Sequence, residues 1–98
     1  MVLFQTTQVE VKGTDDDYQG TALFNQPIAS AEVALRGLNL TGYTDGSAWH
    51  YRGVTQVQIT SVSVVGTAVK FTFAFNFSEG SDYQMVGDID FLVIANSQ

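Results

Sequence analysis

Hydrophobic and polar residues alternate most strictly over residues 68–78, where Val69, Phe71, Phe73, Phe75 and Phe77 hold the odd positions and Lys70, Thr72, Ala74, Asn76 and Ser78 the even ones. Successive side chains of an extended chain point to opposite faces, so this period of two predicts a β-strand with one aromatic face turned to a core. A last strand is predicted at about 86–95. There Asp88 and Asp90 keep the early even positions polar, but Leu92 and Ile94 make the second half apolar on both faces. Residues 54–65 are rich in Val, Ile, Thr and Ser, which suit a pleated surface. Their phase changes, with Val57 and Ile59 odd but Val62 and Val64 even, and a bulge near Thr60-Ser61 accounts for the switch.

Val64-Val65-Gly66-Thr67-Ala68 reads as a tight hairpin leading into the Phe-rich strand. Earlier strands are predicted at Phe4 to Lys12, Ala22 to Asn25 and Ala31 to Leu40, with Pro27 in a connection. Three loops separate these segments: an acidic one from Gly13 to Gly20, an aromatic-rich one from Gly42 to Gly53, and an acidic turn from Glu79 to Tyr83. No amphipathic helix and no internal repeat is visible. The pattern predicts an all-β fold, an antiparallel β-sandwich of about six strands, as one domain over residues 1–98.

Length and composition narrow the partners. A chain of 98 residues has room for one core, and a domain this small buries only about 60–65% of its unfolded surface. With no cysteine, neither disulfides nor thiolate metal sites can supplement that core, which leaves partner subunits. Four Lys and Arg against ten Asp and Glu give a net charge of −6. Polyanions are repelled, so nucleic acid and anionic membrane are not expected partners. No basic region precedes a long apolar run, so neither a signal peptide nor membrane insertion is expected. That implies cytoplasmic synthesis, after which the chain either stays there or leaves by lysis, a dedicated export route or assembly into an extracellular particle.

The candidate chemistry points to binding and not to catalysis. His50 is the only histidine, and there is no Gly-x-Ser-x-Gly elbow or cysteine nucleophile, so a surface or ligand-contacting role is expected for it. Asp15-Asp16-Asp17 offers carboxylates to a cation. Three consecutive acids cannot all turn toward one ion, however, and the predicted role is a solvated turn with an Asp side chain on a nearby amide. Glu79 with Asp82, or Asp88 with Asp90, lacks the cleft that glycoside hydrolysis requires. No cofactor, metal or enzyme activity is expected. The segment from Gly42 to Gly53 gathers Trp49, His50, Tyr51 and Arg52. Aromatic faces stack on the C–H faces of sugars while His and Arg satisfy hydroxyls, and the same mixture is enriched at protein interfaces. Ligand contact, subunit contact and covering of the core all stay open for this loop.

Phe24 near Pro27, the strand Ala31-Glu32-Val33-Ala34-Leu35, a long polar loop, the run from Val57 to Val64 leading into Phe71, and Ile89 to Ala95 closing the chain resemble the H-type lectin domain over residues 3–95. The resemblance implies a six-stranded antiparallel sandwich that assembles as trimers, sometimes paired into hexamers. It also implies binding of N-acetylgalactosamine or related sugars near subunit boundaries. By the same resemblance, Asp15, Asp16 and Asp17 belong to the loop that offers a carboxylate to the sugar, and Arg52 corresponds to an arginine entering the fourth strand. The family's aromatic pair at the end of the fifth strand is replaced by Ser78-Glu79, with Trp49, Tyr51 or Tyr83 as aromatic substitutes. The missing disulfides fit a bacterial or viral member. The alternative reading is a structural or assembly subunit of a phage tail, surface fibre or other particle. Each strand of a two-layer sandwich buries one face, so Leu92 and Ile94 are predicted at a homo-oligomer contact.

Overall fold

A computed structural model describes residues 1–13, 15–44, 54–77 and 83–98; for residues 40–44, 54–55, 77 and 83–85 only the backbone is described. Six strands run in chain order: β1 (Val2–Lys12), β2 (Asp15–Leu23), β3 (Ile28–Thr44), β4 (Val54–Val65), β5 (Ala68–Phe77) and β6 (Tyr83–Ser97). They form two three-stranded sheets, ordered β1-β6-β3 and β2-β5-β4, with every pairing antiparallel. The predicted all-β, six-stranded antiparallel architecture is the one observed.

The strands with the strongest alternation take the central places. Val69, Phe71, Phe73 and Phe75 of β5 face Ile89, Phe91, Val93 and Ala95 of β6, and all are buried. Phe91 packs its ring 4.8 Å from Phe71 and 4.7 Å from Phe73, centroid to centroid, in T-shaped and tilted geometries. Such offset arrangements set the positive ring edge against a negative face. Val11, Ala22 and Ile28 complete the buried cluster from the flanking strands.

The hairpin turns at Gly66 (φ 62°), in the left-handed region where a side chain is disfavoured. Register shifts between Ile59 and Ser61, so the phase change in β4 is a bulge at the predicted place. Phe24 N–H donates to the Thr67 carbonyl at 2.9 Å and Ile28 N–H to the Gly66 carbonyl at 3.0 Å, tying the connection that contains Pro27 to this hairpin.

The early part of the chain differs from expectation. The acidic segment expected as a loop is mostly strand, because β2 begins at Asp15, and the strand expected at Ala22 to Asn25 is its end. The reason lies in the inward residues of β2. Tyr18, Gly20 and Ala22 alternate correctly, but one is polar-tipped and two are small, so the apolar signal is faint. Tyr18 stacks on Phe73 at 5.5 Å and 18°. Its hydroxyl accepts the Lys12 N–H at 2.8 Å and shares its proton between the Lys12 and Gly13 carbonyls at 2.8 and 3.0 Å. Gly20 lies against the Phe71 ring so closely that a Cβ there would overlap the ring. β3 is also longer than expected, running from Ile28 to Thr44, with a bulge that leaves Arg36 out of the backbone register with β6.

Closure is uneven around the sandwich. Along β1 and β2, Thr7 Oγ1 donates to the Thr21 carbonyl at 3.0 Å and bridges the sheets. On the β3–β4 side, Leu35, Leu38 and Val62 have core-facing register yet stay 47%, 46% and 37% exposed.

Candidate functional site

Topology brings the strand ends that flank the predicted site segments toward one end of the sandwich. Lys12 and Asp15, Thr44 and Val54, and Phe77 and Tyr83 are the strand ends that flank the three connections. The register places them at the same pole, because Thr44 pairs Tyr83, Val54 pairs Phe77 and Asp15 pairs Phe75. Trp49, His50, Tyr51, Arg52 and Glu79 lie outside the described residues.

Asp15, Asp16 and Asp17 are described, and all are exposed at the start of β2. Asp15 Oδ1 accepts the Asp17 N–H at 2.8 Å, the short-range carboxylate-to-amide turn expected of this run. Asp16 Oδ1 accepts from Asn76 Nδ2 at 3.4 Å, and the same amide donates to Gln56 Oε1 at 2.7 Å. Gln56 Nε2 in turn donates to Gln58 Oε1. Asp16 therefore opens a chain of amides running down the outer face of β2-β5-β4. Among the described residues no three His, Asp or Glu side chains gather closely enough to hold a metal ion.

That outer face stays polar from Asn76 to Lys70 apart from Ala74, and ends at the Gly66 hairpin in the apolar cross-strand row Leu23, Ala68 and Val65, of which Leu23 and Val65 are exposed. Thr72 Oγ1 is hydrogen-bonded to Thr60 Oγ1 at 2.7 Å and to Ser61 Oγ at 2.6 Å. Toward the Gly66 hairpin the face dips into a shallow depression of about 250 Å³, lined by Gln19, Thr21, Ser61, Ser63, Lys70 and Thr72 over a floor of Gly20 and Phe71. Sequence reading did not group these residues. Their outward phase was readable from the alternation in β4 and β5, but that β2 and β4 flank β5 follows only from the sheet order.

The outer face of β1-β6-β3 carries an apolar patch among polar neighbours. Leu92 and Ile94 are half-buried there, with Phe4 and Thr6 of β1 and Glu32 and Ala34 of β3 as their cross-strand partners. Phe4 is 65% exposed. Polar pairs rim this patch: Arg36 lies 3.9 Å from Asp90, and Asn96 Nδ2 donates to Ser30 Oγ at 3.2 Å.

In comparisons with known proteins, no family model, no curated protein and no solved structure matches the chain.

Proposed function

We propose that this domain is a carbohydrate-binding, lectin-like attachment module that works as a homo-oligomer, with a trimer as the assembly that the H-type lectin resemblance implies. The observation that carries the reading is the apolar patch on one outer face set against the polar tract on the other. Phe4, Ala34, Leu92 and Ile94 form an apolar patch, interrupted by Thr6 and Glu32, inside a polar rim, an anatomy that subunit interfaces share. A chain with so small a core gains most by burying such a patch against its own copies. The opposite face carries Asp16, Asn76, Gln56 and Gln58 and then the hydroxyls of Thr60, Ser61 and Thr72. Donors and acceptors held on rigid strands match the hydroxyl pattern of a glycan, and this face stays free when the apolar one is covered.

At the pole of the sandwich, Asp15, Asp16 and Asp17 offer carboxylates to sugar hydroxyls, and Trp49, His50, Tyr51, Arg52 and Glu79 are the further candidates for contact. A glycan array that includes N-acetylgalactosamine and its relatives tests the proposal. Specific, saturable binding of a defined sugar supports it. Closed complexes or filaments with no glycan signal favour the second reading, a structural subunit of a phage tail, fibre or other particle, which the apolar face alone would serve.

A further inference from the structure

The depression near the Gly66 hairpin has the layout of a binding site separate from the pole where Asp15, Asp16 and Asp17 stand. Its six polar side chains form two cross-strand rows: Ser63, Lys70 and Thr21 in one, and Ser61, Thr72 and Gln19 in the next. Strands in a sheet lie about 4.8 Å apart and residues of one face about 7 Å apart along a strand, so the array spans roughly 10 by 7 Å. That is the footprint of one sugar ring, and a volume of about 250 Å³ sits just below the range of small-molecule pockets, roughly 300–1,000 Å³.

The hydrogen bonds show which groups are available. Ser61 and Thr72 are bonded to each other. The side chains of Gln19, Thr21, Ser63 and Lys70 have no hydrogen-bond or ion-pair partner among the described residues. Lys70 stands in the centre of its row, with a hydroxyl on each side. An ammonium has three donors and no acceptor, so it calls for an anionic oxygen. Its surroundings permit one despite the net charge of −6. Asp16, beside Asn76, is about 20 Å farther along the sheet, beyond a screening length of about 8 Å at physiological salt. Glu10, Glu32, Asp88 and Asp90 belong to the other sheet.

We infer that this depression binds an acidic sugar residue, with Lys70 holding its carboxylate or sulfate and Gln19, Thr21 and Ser63 its ring hydroxyls. The inference deepens the carbohydrate reading and rests on it.

The test is an array of matched glycans whose terminal ring is neutral, carboxylated or sulfated, probed with the native chain, Lys70→Ala and, as a control on the other sheet, Lys12→Ala. Acidic rings should bind in preference to neutral ones, and the carboxylated and sulfated arms show which anion is taken. Lys70→Ala should weaken that binding about 10-fold or more, as expected for loss of a charge-assisted hydrogen bond, while Lys12→Ala leaves it unchanged. Neutral rings binding as well as acidic ones, with Lys70→Ala unaffected, would overturn this site and leave the lectin reading intact. Competition by free sulfate or acetate as effective as by the sugar would reduce it to a simple anion site. Absence of any glycan binding would overturn both.

Discussion

The two central strands, β5 and β6, face each other across the core with equally apolar inner rows, yet their outer rows differ at the middle. β5 shows Ala68, Lys70, Thr72, Ala74 and Asn76 to the outside, whereas β6 shows the apolar pair Leu92 and Ile94 between Asp88 and Asp90 at one end and Asn96 at the other. Inner rows hold the two sheets together and must be alike. Outer rows answer to whatever lies beyond the monomer, so their difference carries the functional information. A lone two-layer sandwich in water would be polar on both outsides. The apolar outside of β6 is therefore the feature that the monomer's own stability does not explain.

Substitutions can break this comparison row by row. The largest effect is expected at Phe73, which is fully buried between Tyr18 and Phe91. Phe73→Ala should cost about 3–5 kcal/mol, enough to unfold much of the population of a domain this small, as read by chemical denaturation. An unchanged transition midpoint would show that the inner row is not the core. Next comes Gly20, where a methyl group would run into the Phe71 ring. Gly20→Ala should destabilise by about 1–3 kcal/mol through overpacking. The smallest effect belongs to the outer row of β5. Thr72→Val removes the hydroxyl shared with Thr60 and Ser61 and should cost no more than about 1 kcal/mol, because those groups can turn to water. A loss as large as that at Phe73 would mean that this face is packed against something and is not a free, ligand-accessible surface.

Much of this was legible from the chain. The strict alternation in β5 announced a strand and its buried face, and the phase change between Ile59 and Val62 located the bulge in β4. β2 was not legible. Asp15, Asp16, Asp17 and Gly20 are poor strand formers read locally; Asp15 and Gly20 are held in a strand by pairing with β5 and by the stacking of Tyr18 on Phe73, while Asp16 and Asp17 fall in the register irregularity between Asp15 and Tyr18. Tertiary contacts there override local propensity. The apolar outside of β6 could be read from Leu92 and Ile94, but the neighbours that complete the patch, Phe4 and Ala34, could not, since they arrive from strands far apart in sequence. The polar depression was hidden for the same reason.

The central claim is that the outer face of β1-β6-β3 joins copies of this chain, and the mass of the native protein in solution tests it most directly. Sedimentation equilibrium at micromolar concentration should give a multiple of 10.7 kDa, three times that value for a trimer. The double change Leu92→Ser with Ile94→Ser should return a folded monomer, since covering the still-exposed part of each half-buried side chain contributes about half of the 1.5–3 kcal/mol of full burial, and every copy in the ring adds its own. If the oligomer survives the double change, the contact lies elsewhere, with the exposed Leu35, Leu38 and Val62 of the β3–β4 side as the next candidates. A native chain that sediments cleanly as a 10.7 kDa monomer would contradict the account.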